Sequence, residues 1–116
     1  MNPPSLEAIK RLEGQLESFH VELSALTKKS PHDALNQFKL KFINSVLKSC
    51  NQVLGKKHKP FAEFSEFDTE VLPSNSDVNM ILSQYTDAIR RFRHNMPEED
   101  EDSDFEDDYD EDEAGE

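Results

Sequence analysis

Residues 5–30 read SLEAIKRLEGQLESFHVELSALTKKS, and the spacing inside this stretch decides the fold class. Its apolar positions are Ile9, Leu12, Leu16, Phe19, Leu23 and Leu26, separated by 3, 4, 3, 4 and 3 residues. That is an a/d seam running through nearly three heptads, so the stretch is an amphipathic helix that needs a second apolar face to bury it. Lys10, Arg11, Glu13, Glu17 and Glu22 take the opposite side. Ser5, after Pro3 and Pro4, offers an N-cap, and Lys28, Lys29 and Ser30 close the helix.

The partner faces lie further along the chain. Ser30-Pro31-His32-Asp33 reads as a helix start, with Ser as cap, Pro at the first helical position and Asp33 in the positive end of the dipole. A second helix is expected from there to about Leu54, with Gly55 as its left-handed stop. Its apolar set is Leu35, Phe38, Phe42, Ile43, Val46, Leu47, Cys50, Val53 and Leu54, a stripe wide enough for the central helix of a bundle. After Pro73, Ser74-Asn75-Ser76-Asp77 supplies capping residues. Val78, Ile81, Leu82, Tyr85, Ala88, Ile89 and Phe92 then recur at helical spacing, to about His94. No stretch alternates like a strand. The expectation is an all-α fold, a small antiparallel three-helix bundle with a Phe-rich connection between helices 2 and 3 and a disordered acidic C-terminal tail. Residues 1–96 would form the helical domain and 97–116 the tail.

Charge supports that division. The tail carries fourteen of the chain's 25 carboxylates and none of its 13 Lys and Arg residues. Residues 1–96 are therefore slightly basic, although the whole chain has a net charge of −12. With so little apolar surface to bury, the tail cannot offset the entropy of ordering.

Three features are candidates for function. The connection contains KPFAEFSEFD, residues 59–68, with Phe61, Phe64 and Phe67 at every third position and a carboxylate beside each. Spacing of three aligns the rings on one edge of a tight turn. They would either close the open side of the bundle or serve as aromatic anchors for a partner. Phe105 and Tyr109, four apart in the tail, have the spacing of a short helical docking motif. The basic clusters that include Lys28, Lys29, Arg90, Arg91 and Arg93 would share one pole if the first and third helices end together, and that patch could neutralise phosphates. Cations at helix C-termini are also favoured by the dipole alone.

Catalysis has no candidate constellation: there is no Gly-rich loop, no nucleophile elbow and no paired carboxylates in the body. Asp100, Asp102, Asp104 and Glu111 fall at calcium-loop positions, but Phe105 stands where the loop needs Gly. The four histidines lack zinc spacing, and Cys50 is the only cysteine. No cofactor and no metal are expected. No basic n-region or long apolar run marks a leader or a membrane span, so a reducing compartment is expected, the cytoplasm first, with the nucleus left open. The functional expectation is a non-enzymatic adaptor or regulator that uses the aromatic loop and the tail to bind a protein with a basic surface. A monomer is favoured over a homodimer. The alternative is a nucleic-acid-associated protein whose basic patch is covered by its own tail.

Overall fold

A computed structural model describes residues 4–96. Among them are three helices, α1 (Leu6–Lys29), α2 (Gln37–His58) and α3 (Asn75–His94), and no strand. The acidic tail, with Phe105 and Tyr109, lies outside the described residues.

Each helix starts on a side-chain cap. Ser5 Oγ accepts from the Ala8 amide at 3.1 Å, Asn36 Oδ1 from the Lys39 amide at 2.8 Å, and Ser74 Oγ from the Asp77 amide at 3.1 Å. The second cap corrects the sequence expectation. Ser30 is not the N-cap of α2. Its own N–H donates to Leu26 O at 2.7 Å and closes α1. Residues 31–35 instead pair with the start of α3. The Leu35 amide donates to Pro73 O (2.9 Å), the Asn75 amide to Asp33 O (2.8 Å) and the Ser76 amide to Pro31 O (3.0 Å). Gly55 breaks α2 with the left-handed φ of 66 that a side chain disfavours, as expected, and one further turn beyond the kink reaches His58.

Side-chain pairs fix the helix directions. Glu13 meets Arg90 and Arg93, and Ser24 meets Asn79, so α1 is antiparallel to α3. Glu22 meets Lys39, and Arg11 and Leu12 lie across from Gln52 and Val53, so α1 is antiparallel to α2 as well. Asn51 meets Tyr85 and His58 meets Phe92, so α2 and α3 run parallel. The long second connection follows from that topology. It must return the chain along the whole of α2 before α3 can begin.

The core is one cluster. Ile9, Leu16 and Leu23 of α1, each seven apart, are fully buried, as are Leu40, Ile43, Leu47, Cys50 and Leu54 of α2 and Val78, Leu82, Tyr85 and Ile89 of α3. Each such aliphatic side chain contributes about 1.5–3 kcal/mol. The closest helix pair is α1 with α3. The α1–α2 seam is more open, and the second row of the α1 heptads, Leu12, Phe19 and Leu26, is only half-buried.

Candidate interaction surface

The connection after α2 is a strap held to α2 by amide side chains one heptad apart. Gln37 Nε2 donates to Thr69 O (3.1 Å), Asn44 Nδ2 to Phe67 O (2.8 Å) and Asn51 Nδ2 to Ser65 O (2.8 Å). Asn44 closes a two-way clamp, because its Oδ1 also accepts the Phe67 N–H at 2.9 Å. Asn51 Oδ1 accepts the hydroxyl of Tyr85 at 2.7 Å, tying strap, α2 and α3 together. Tyr85 is fully buried, and that burial pushes its phenol above the usual tyrosine range. A heptad stripe of Gln and Asn on the flank of an apolar helix is the signal in the sequence for such a strap.

Phe61, Phe64 and Phe67 pack against the core and are half-buried. Phe64 stacks edge-to-face on Phe67, with ring centroids 5.0 Å apart, and lies 6.3 Å from the Tyr85 ring in the same manner. The strap rings close the bundle, with Glu63, Glu66 and Asp68 turned to solvent.

The basic residues named from sequence are not brought together. Because α1 and α3 are antiparallel, Lys28 and Lys29 stand at one end of the bundle and Arg90, Arg91 and Arg93 at the other. The expectation of one shared pole is thereby corrected. The arginines also have partners within the chain. Glu13, largely buried, accepts from Arg93 Nε at 2.5 Å and Arg90 Nε at 3.2 Å, while Glu17 accepts from Arg90 Nη2 at 2.6 Å. The hydrogen bond from Arg93 holds the Glu13 carboxyl below the usual range against the opposing cost of burial. Arg91 pairs with Asp87 one turn away at 3.3 Å.

Beside the singly exposed Val21, Val71 and Met80, two aromatic residues expected in the core are exposed as a pair. Phe38 is 70 % and Phe42 54 % exposed, and their rings meet edge-to-face at 5.0 Å. The buried seam of α2 is Leu40, Ile43, Leu47, Cys50 and Leu54, at spacings of 3, 4, 3 and 4, which turns Phe38 and Phe42 outward beside the α1–α2 seam. A groove of about 350 Å³ lies there, walled by Phe19, Leu23, Phe38, Phe42 and Ile43 and rimmed by the Glu22–Lys39 ion pair. A second groove of about 440 Å³ continues along the seam past Arg11, Leu12, Gln52 and Val53.

Comparison of the chain with protein-family models, with curated proteins and with solved structures gives no match.

The electrostatics of the surface come from α2 itself. The helix carries Lys39, Lys41, Lys48, Lys56 and Lys57 and no carboxylate. Lys41, Lys48, Lys56 and Lys57 are exposed. Glu66 of the strap shares a shallow groove with Lys48. The surface as built is thus an aromatic pair at the rim of an apolar groove, on a cationic helix.

Among the described residues no three metal-ligating side chains cluster, and no helix is long and apolar enough to cross a membrane. Cys50 is fully buried, and burial pushes its thiol up to about 12, so it is a packing residue rather than a nucleophile.

Proposed function

We propose that the chain is a non-enzymatic protein-interaction module whose binding surface is the α1–α2 seam around Phe38 and Phe42. One observation carries this reading. A bundle this small leaves two phenylalanines, ring against ring on one helix face, more than half exposed. Paired aromatics at the edge of an apolar groove, ringed by polar side chains, are the usual anchors of an interface. The strap phenylalanines are engaged by the bundle, so the anchoring role assigned to Phe61, Phe64 and Phe67 from sequence passes to α2. The partner chemistry follows from the lysines: an acidic segment that carries one or two aromatic or large aliphatic anchors.

The test is selection from a random peptide library against the full chain, with the Phe38→Ala/Phe42→Ala protein as the counter-target. Acidic peptides with aromatic anchors should be enriched on the unaltered chain alone. Equal enrichment on both proteins would refute the assignment of the surface.

A second reading has an observation of its own. A helix with five lysines, no acid and two exposed rings also suits single-stranded nucleic acid, which combines phosphate contacts with base stacking. In that case binding would be insensitive to peptide competitors and would fall steeply with salt.

A further inference from the structure

We propose that the α1–α2 surface is covered in the resting protein by the chain's own acidic tail, with Phe105 seated at Phe42 and Tyr109 at Phe38. This rests on the reading of that seam as an interaction surface and adds its occupant.

Three observations converge on the tail. The first is where it begins. Met96, the last described residue, lines a groove with His58, Ala88 and Phe92, and the His58 and Phe92 rings lie 5.6 Å apart, so Met96 stands at the C-terminal end of α2. The second is length. From the kink at Gly55 back to Phe42 is thirteen residues of helix, about 20 Å, and to Phe38 about 26 Å, with the turn to His58 adding about 5 Å. The nine residues from Met96 to Phe105 reach about 30 Å when extended, and the thirteen to Tyr109 about 43 Å. A tail running antiparallel to α2 therefore brings its first aromatic to the nearer phenylalanine and its second to the farther one, with slack in both. The third is chemistry. Phe105 and Tyr109 are four residues apart, as are Phe38 and Phe42, and they are the only aromatics in the tail. The carboxylates from Glu98 to Asp104 would pass Lys56, Lys57 and Arg11 on the way, and those after Phe105 would face Lys41. Of the carboxylates beside the path, Glu22 is neutralised by Lys39 and Glu66 shares a groove with Lys48.

A tethered segment is present at an effective concentration on the order of millimolar. Even an interaction of about 0.1 mM intrinsic affinity would then hold the seam covered about nine-tenths of the time, and an external ligand would bind about tenfold more weakly than to an uncovered surface.

Paramagnetic relaxation in the full chain tests this. Cys50 is fully buried, so a nitroxide on Ser103→Cys labels the tail selectively. The proposal expects the amides of Phe42, Ser45 and Ser49 to broaden, and the effect to vanish in about 0.5 M salt, where the Debye length is a few ångströms. It should vanish also in Phe105→Ala/Tyr109→Ala. Broadening confined to Asn95 and Met96, or centred on Lys28 and Lys29, would overturn it. So would equal broadening when the label is on one chain and the observed amides on another, which assigns the seam to a second copy. Adding the peptide EDSDFEDDYDED, residues 101–112, separates this from the underlying reading. It should shift Phe38 and Phe42 in Phe105→Ala/Tyr109→Ala about tenfold more tightly than in the unaltered chain. Equal affinity for both proteins overturns the covering and keeps the surface. Shifts from oligodeoxythymidine and none from the peptide overturn both.

Discussion

Replacing Asn44 by Ala should release the strap. The Asn44 side chain is 8 % exposed and makes two hydrogen bonds to one residue, at 2.8 Å to Phe67 O and 2.9 Å from Phe67 N. Each contributes about 1 kcal/mol net, and more when the partners are left unpaired away from water. The Phe67 N–H and C=O would both be orphaned beside the core, so the expected loss is about 2–4 kcal/mol. With a slope of about 1 kcal/mol per molar urea for a body of this size, the midpoint of unfolding falls by about 2 M or more. Ser45→Ala, one residue on and exposed, is the control and should change stability by less than about 0.5 kcal/mol. Urea unfolding followed by circular dichroism gives the global value, and hydrogen exchange at the Phe67 amide gives the local one. If Asn44→Ala costs under about 0.5 kcal/mol and the Phe67 amide stays protected, the strap is not held by the clamp, and this account of the connection is wrong.

Further outcomes follow from the same geometry. Phe64→Ala should lower stability by about 1.5–3 kcal/mol, because a half-buried ring leaves both Phe67 and Tyr85, and calorimetry would read it as a lower Tm. Glu13 has a folded pKa held below its usual value, so its stabilising effect is present above about pH 4.5 and is lost as pH falls through the lowered folded value. Glu13→Gln should therefore cost about 1–3 kcal/mol at pH 7, and the difference from the unaltered chain should shrink in urea titrations run at progressively lower pH below about 4. Cys50, buried and with its thiol pushed up to about 12, should resist alkylation by iodoacetamide at pH 8 in buffer and react readily in denaturant, a contrast that mass spectrometry resolves.

Much of the fold was legible from the chain. The 3-4 spacing of α1 gave its length and its need for partners, and Ser5 and Ser74 were readable as caps because each precedes an apolar run at the right distance. The α2 boundary was misread for a physical reason. Ser30-Pro31 has the chemistry of a helix start, but residues 31–35 are recruited by the backbone that enters α3, forty residues later, and local sequence cannot report that pairing. Asn36, with its side chain on the Lys39 amide, was the available signal. Phe38 and Phe42 were placed in the core because they are large and helically spaced. The narrower seam that includes Leu40 fills the space available, and the phenylalanines lie on its outer flank. The length of the second connection was noticed in the sequence, but only as a hint of function. Its physical cause is the parallel course of α2 and α3, which also separates Lys28 and Lys29 from Arg90, Arg91 and Arg93.

The central claim is that Phe38 and Phe42 serve binding rather than folding. It is tested most directly by measuring both properties on the same Phe38→Ala/Phe42→Ala protein: urea stability, and affinity for an acidic aromatic peptide selected on the unaltered chain. The account predicts a stability change below about 1 kcal/mol, as for exposed positions, together with at least about a tenfold loss of affinity. A stability loss of about 4 kcal/mol or more, the scale of a lost core aromatic, or unchanged affinity would contradict it.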